Sequence, residues 1–233
     1  MHQHEHAHSH AHSGAGEPAG EAEFWDGRYS ESTRIWSGNP NALLLREAED
    51  LAPGRALDLG CGEGADAVWL ARRGWRVTGV DISKVALGRA AEHAAEAGVG
   101  DRIAFEHHDL GESFPAGEFD LVSACFLHSP GDMPRERILR TAAAAVAPGG
   151  VLLVGGHGGW EHGAENPHPE LHFPTPQEVL ADLELTEDHW EVLVCAEHAR
   201  VGAESDRPGP GYDNVLKVRR LRQCSDRSGS SGS

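Results

Sequence analysis

Asp58-Leu59-Gly60-Cys61-Gly62-Glu63-Gly64-Ala65 is the stretch of this 233-residue chain whose residue types and spacing speak most directly of chemistry. Residues 55–57 before it read as strand, and residues 66–73 after it read as helix. A glycine-rich turn at such a junction lets a ligand approach the backbone where no Cβ stands in the way. Asp81 ends the next strand-like run, residues 75–80, and an acid there can accept both hydroxyls of a ribose. These residues describe a site for a nucleoside cofactor. The spacing leaves its identity open. Gly60, Gly62 and Ala65 satisfy the dinucleotide fingerprint G-x-G-x-x-A, with Asp81 as its ribose acid. Asp58, two residues ahead of the first glycine, and the early third glycine, Gly64, are not part of that fingerprint.

Asp58-x-Gly60-x-Gly62-x-Gly64 resembles the first motif of class I S-adenosylmethionine (SAM) methyltransferases. Asp109-Leu110 looks like that family's adenine-side motif, and Pro148-Gly149-Gly150 like the turn before its fifth strand. The resemblance runs from about Phe24 to Arg220. It implies SAM as cofactor, held by Asp58, Gly60, Cys61 and Gly62 after the first strand and by Asp81 and Ile82 after the second. Asp109 and Leu110 would follow the third strand and Cys125 the fourth. Cys61 would offer its backbone alone, so its thiol needs no chemical role. An aromatic flank, Phe24-Trp25-Asp26-Gly27-Arg28-Tyr29 followed by Ile35-Trp36, is similar to the thiopurine and tellurite-resistance branch of small-molecule methyltransferases, in which an N-terminal segment covers the cofactor. One reading is a helix whose Trp25, Tyr29 and Trp36 close over the site, their faces attracting a sulfonium by about 0.5–2 kcal/mol each when desolvated. The other is that these rings pack the helix onto the sheet.

The elements that must position these residues alternate along the chain. Strands are expected at 56–59, 76–80, 103–107, 119–124 and 151–155, with helices at 67–73, 84–97 and 135–146 between them. A helix at 176–183 begins with Thr175 as cap and Pro176 at its first position. Strands at 190–197 and 214–220 then form a closing pair. Short connections of this kind give a parallel sheet with right-handed crossovers. The expected fold is an α/β, Rossmann-like sheet of seven mostly parallel strands, with helices on both faces and an antiparallel last strand. Ligands of such sheets lie outside the carboxyl ends of the strands, which adds His128 after strand four and His157 after strand five as substrate-positioning or basic residues. The loop from His157 to His172 also carries His162 and His168, but H-x4-H and H-x3-H spacings in a loop specify no metal site, and none is assigned.

Composition narrows the partners. At 39% hydrophobic residues the chain can bury one core unaided. No apolar run reaches the ~18 residues of a membrane span, and none near the start resembles a signal peptide. Cys61, Cys125, Cys195 and Cys224 form no C-x-x-C pair, which points to reduced thiols and a cytoplasmic location. A formal charge of −17 argues against nucleic-acid and anionic-membrane partners and favours neutral or cationic substrates. Residues 1–20, with six alternating histidines, read as a disordered tail, and 225–233 as a flexible linker. Between them, 21–224 reads as one domain with an N-terminal lid over about 21–50. The expected function is in-line transfer of a methyl group from SAM to a small-molecule nucleophile, at sulfur, nitrogen, oxygen or a metalloid. Two alternatives stand beside it: an NAD(P)-dependent oxidoreductase, and a non-catalytic module that binds SAM or metal. Against the oxidoreductase, no Tyr-x-x-x-Lys pair occurs, since Tyr29 is followed by Thr33 and Tyr212 by Leu216.

Overall fold

The apolar runs of the central strands pack on both sides, because alternate residues of a strand face opposite ways. In the computed structural model, which describes residues 20–129, 131, 133–158, 173–199 and 211–223, seven strands form one sheet. They are β1 (Arg55–Leu59), β2 (Arg76–Asp81), β3 (Ile103–His107), β4 (Phe119–Cys125), β5 (Val146–His157), β6 (Trp190–Ala199) and β7 (Tyr212–Arg220). Their spatial order is β3-β2-β1-β4-β5-β7-β6. The first five are parallel, and β7 runs antiparallel to both β5 and β6. Leu57, Leu59, Val122, Leu152 and Leu216 bury into one face with Ile138 and Leu139. Ala56, Leu121, Leu153 and Val215 bury into the other with Leu44, Leu70 and Trp75. The expected α/β fold is the one the chain adopts.

Helices α1 (Glu21–Ser30), α2 (Ala42–Ala48), α3 (Ala65–Arg72), α4 (Lys84–Glu96), α5 (Arg135–Ala144) and α6 (Pro176–Asp182) surround the sheet. Local chemistry sets their starts. The Ser83 hydroxyl caps α4 by accepting from the Ala86 N–H, and Thr175 with Glu178 forms a reciprocal capping box on α6. Three differences from the sequence expectation have physical causes. Strand β5 starts at Val146, which pairs with Phe119 ahead of an irregularity in the β4–β5 register, so Pro148-Gly149-Gly150 is drawn into the strand instead of preceding it. Helix α2 went unpredicted, since seven residues are too few to establish a helical period. Helix α1 ends at Ser30, short of Trp36. There the Ser30 and Ser32 hydroxyls donate to the carbonyls of Asp26 and Arg34 at 2.7 and 2.9 Å, offering the backbone an alternative to more helix.

The strand order reverses between β1 and β4, which places the crevice at their carboxyl ends. The glycine turn after β1 and the segment Phe126–His128 after β4 meet there. The described segments of the two tails end at Gly20 and Gln223, and both the histidine tract and the Ser-Gly linker lie outside the described residues, as do His162, His168, His172 and Cys224.

Candidate active site

The turn after β1 takes its shape from residues without side chains. Gly60, Gly62 and Gly64 have φ of 68°, 53° and 83°, a region that favours glycine. The Cys61 N–H donates to the Val80 carbonyl at 2.9 Å, tying the turn to β2. Asp81, at the end of β2, accepts from the Gly62 N–H at 2.8 Å through Oδ2 and from the Ser83 N–H at 2.9 Å through Oδ1. The two halves of the predicted site are thus bonded to each other. Burial raises the Asp81 pKa above its ordinary value, while hydrogen bonds from the Ser83, Gly62 and Ile82 backbone pull the other way. Asp58 lies beneath the turn, 2% exposed, and its Oδ2 has no hydrogen-bond partner among the described residues. Burial, then the carboxylates of Asp66 and Asp81, push Asp58 well above the usual carboxylate range. Gly64 serves packing: a Cβ there would stand 2.9 Å from that of Ala90, so its absence lets α3 approach α4.

The N-terminal flank lies against this turn through bonds that the sequence did not reveal. Asp26 Oδ1 accepts from the Ser83 hydroxyl at 2.6 Å and from the Val85 N–H at 3.2 Å, joining α1 to the start of α4. Trp25 Nε1 donates to the Ser129 hydroxyl at 3.3 Å, across the crevice. Glu63, inside the glycine motif, accepts from the Trp36 N–H at 3.2 Å and pairs with Arg89 at 2.9 Å. Asp66 accepts from both the backbone and the side-chain amide of Asn41, at 2.7 and 2.8 Å. Tyr29 is 4% exposed, and its hydroxyl accepts from Trp36 Nε1 at 3.1 Å. That hydroxyl lies 2.9 Å from where a Cβ on Gly62 would stand. Burial, then the nearby Asp81, pushes the Tyr29 phenol well above its usual range, so it stays protonated. Of the three rings expected over the site, Trp25 and Tyr29 are half-buried and buried on α1, while Trp36 follows the helix and is exposed. Asp26, Glu63 and Asp66 carried no signal in the sequence, because single acids in a motif or helix read equally well as solvated.

The opposite wall comes from β4, β5 and β7. Phe126 has φ of 56°, an uncommon conformation for a bulky residue, and its N–H donates to the Gly155 carbonyl at 2.9 Å. Leu127 then turns onto Gly60, with Cδ1 2.8 Å from where a Cβ would stand. The rings of His128 and His157 stack at 5.6 Å and 12°, and Phe126 meets His157 at 4.8 Å. His157 Nδ1 is 4.0 Å from Asp213 Oδ1, its cross-strand neighbour on β7. Burial, then the Arg135 cation, lowers the His128 pKa to about 4, so this imidazole is neutral at pH 7.

The remaining predicted residues fall into place around this centre. Cys61 is half-buried, and burial followed by Asp81 raises its thiol well above the usual value, so it presents no thiolate. The Cys125 side chain joins the core, where it accepts from the Ser123 hydroxyl at 3.4 Å. The Ile82 carbonyl meets His107 Nε2 at 2.8 Å. Asp109 is exposed and accepts from the Gly111 N–H at 2.9 Å, closing the turn after β3, while Leu110 packs against the core. The structure therefore gathers Trp25, Tyr29, Asp58, Gly60, Gly62 and Asp81 about one turn, with His128 and His157 on the far wall. Asp213 is the addition that only the β5–β7 pairing brings there.

Residues 56–150, from β1 into β5, match the family model described as a methyltransferase domain. This segment is a class I, SAM-dependent methyltransferase domain. Its relatives include 27-O-demethylrifamycin SV methyltransferase of Amycolatopsis mediterranei (strain S699), 36% identical over 57% of this chain and 48% of that protein. Ribosomal RNA small subunit methyltransferase C of Alcanivorax borkumensis is 40% identical over 36% of this chain and 26% of its own length. The chain thus spans about half or less of the length of these curated relatives. Among solved structures, one described as converting a disulfide bond into a thioacetal group during echinomycin biosynthesis superposes with a TM-score of 0.64 at 24% identity, covering 88% of this chain and 94% of that one. The methyltransferase domain holds the glycine turn, Asp81, Asp109 and His128, whereas Trp25, Tyr29 and Trp36, with His157 and Asp213, lie outside the matched segment. No helix among the described residues is long and apolar enough to cross a membrane.

Proposed function

We propose that this protein transfers a methyl group from SAM to an oxygen or nitrogen nucleophile on a small molecule, at the crevice between α1, the glycine turn and the β4–β5 wall. The observation that carries the reading is the glycine turn bonded to Asp81 within the methyltransferase domain. The residues present fit SAM. Asp58 Oδ2 is a buried polar atom without a partner among the described residues, the glycines leave no Cβ over the turn, and the Asp81 carboxylate keeps acceptor capacity beyond its backbone bonds. Asp81 would hold the ribose and Asp109 the adenine side. When bound, SAM supplies a methyl group made electrophilic by its sulfonium.

The chain's own contribution is alignment and desolvation, which can supply effective molarities of about 10⁵–10⁸ M. Trp25 and Tyr29 keep water from the glycine turn, and their rings suit a cation. His157, with Asp213 beside it, takes the proton from an acceptor hydroxyl or amine as the new bond to carbon forms. The carboxylate steadies the resulting imidazolium. His128 is the poorer base of the pair, because a group with a pKa of about 4 has little drive to accept a proton at pH 7. The net charge of −17 favours a small neutral or cationic acceptor over nucleic acid, and the rifamycin-modifying relative acts on a small molecule by name. The aromatic flank supports the thiopurine and tellurite-resistance branch, and the reduced-thiol composition supports a cytoplasmic location.

Calorimetric titration with SAM, its demethylated product and NAD tests the cofactor. Micromolar binding of the first two with none of NAD is expected. NAD binding alone would return Gly60-x-Gly62-x-x-Ala65 to its dinucleotide meaning. Transfer of labelled methyl from SAM to a panel of phenols, amines and thiols then tests the acceptor, with phenols and amines expected to depend on His157.

A further inference from the structure

Three buried polar atoms belong to residues that line one small cavity behind the far wall of the crevice. They are His128 Nε2, Arg135 Nε and Asn214 Oδ1, and none has a hydrogen-bond partner among the described residues. His157 also borders the cavity, with its Nδ1 4.0 Å from Asp213. The rest of the wall includes Val154, Pro174, Pro176 and Val179 and gives no further polar side chain. The cavity has a volume of about 10 Å³, room for about one water. A buried polar group without a partner keeps the full cost of its desolvation, so three around one cavity call for a shared partner.

The donor and acceptor roles leave little freedom. Arg135 Nε carries a hydrogen at every accessible pH. Asn214 Nδ2 already donates to the Pro174 carbonyl at 2.7 Å, so Oδ1 is the atom left to accept. A single water can accept from Arg135 and donate one hydrogen to Asn214 Oδ1 and the other to His128 Nε2. An anion cannot donate to the amide oxygen, and a cation cannot accept from the guanidinium. A water could also accept from a ring protonated on Nε2, but both of its own hydrogens find partners among these three atoms only when His128 is the neutral ring with its proton on Nδ1.

We propose that His128, Arg135 and Asn214 hold one buried water that locks His128 as the Nδ1–H tautomer, making His128 a hydrogen-bond donor to the methyl acceptor while His157 alone serves as base. This rests on the methyl-transfer reading above. Arg135 and Asn214 are then positioning residues that act through the water. The two stacked imidazoles divide the work: His157 beside a carboxylate takes a proton, and His128 beside a cation holds an acceptor oxygen in place. An acceptor with a hydrogen-bonding oxygen next to or at its nucleophilic atom, such as a phenol or an N-hydroxy heterocycle, matches that pair.

The test is long-range ¹H–¹⁵N correlation on the full chain with labelled histidine at pH 7, the ring signals of His128 being identified by their loss in His128→Gln. The expected wild-type spectrum has His128 protonated on Nδ1 and bare on Nε2. In Arg135→Met the Nε2–H form should rise to at least half the population, and Arg135→Lys should restore the wild-type pattern. A wild-type ring protonated on Nε2, or an undiminished Nδ1–H form in a folded Arg135→Met, overturns the proposal. Should Arg135→Met fail to fold, the wild-type tautomer still decides, and a crystal structure supplies the second criterion, with ordered density for one water between the three atoms expected and a side chain filling the cavity refuting it. SAM titration of the same samples separates the two readings. An Nδ1–H ring in a chain that binds no SAM would overturn the methyl-transfer reading and leave the water site standing.

Discussion

Replacing His128 by Gln should change how the protein's stability depends on pH, and the size of the change follows from its burial. In the unfolded chain this imidazole takes its proton near pH 6.5, whereas in the folded protein burial and Arg135 delay protonation to about pH 4. A depressed folded-state pKa gives stability that is present above the unfolded value and lost as pH falls toward the folded one. At pH 5.5 the unfolded side chain is mostly charged and the folded one is not, which costs about 1 kcal/mol relative to pH 8. By pH 4.5 the loss reaches about 2–3 kcal/mol. Asp58, Asp66 and Asp81 act in the opposite sense: their raised folded pKa values contribute stability at low pH that is lost as pH rises through them. The quantity to read is therefore the difference between wild type and His128→Gln, in which the carboxylates cancel. Urea unfolding of both proteins at pH 8, 5.5 and 4.5 gives it directly. The wild type should lose about 1 kcal/mol more than the variant between pH 8 and 5.5. Parallel curves, agreeing within about 0.3 kcal/mol, would show that His128 is solvated and would refute both its neutrality and the cavity argument built on it.

The cofactor site gives further expectations. Asp81→Ala should weaken SAM binding by about 1–3 kcal/mol, since Gly62 and Ser83 lose their shared acceptor together with the ribose partner; unchanged calorimetric affinity in a folded variant removes Asp81 from the site. Gly62→Ala should cost about 1–2 kcal/mol from the left-handed backbone alone and should dislodge Tyr29, read as a lower melting temperature and a shift in the fluorescence of Trp36. Asp26→Ala should cost about 1 kcal/mol, the usual worth of a capping acceptor, and should raise hydrogen exchange across α1 with no change in the β1–β4 pairing. Deleting residues 1–20 should leave SAM affinity intact, and a tenfold loss would make the histidine tract part of the working structure.

Much of this protein was legible without coordinates, because its strongest signals are local. Glycines at 60, 62 and 64 between an apolar run and a helical one specify a strand–turn–helix whatever surrounds them, and Asp81 closes the next such unit. Strand β3 falls where its apolar run predicts, and α6 starts at the Thr175–Pro176 signal, since propensity and capping act over a few residues. Pairing at a distance was beyond that reach. Placing β7 between β5 and β6 sets Asp213 opposite His157, a partnership between residues 56 positions apart that no spacing rule encodes. Asp26, Glu63 and Asp66 look alike as acids in sequence, yet tertiary packing buries Glu63 and Asp66 against the backbone N–H groups of Trp36 and Asn41 and sets Asp26 over the start of α4. The properties of His128 depend on neighbours drawn from α5 and β7, Arg135 and Asn214, so its proton was likewise decided only when the sheet and helices closed around it. Sequence alone determines where backbone and glycine make a cofactor turn, and tertiary structure decides which side chains are desolvated there, because desolvation is a property of everything packed around an atom.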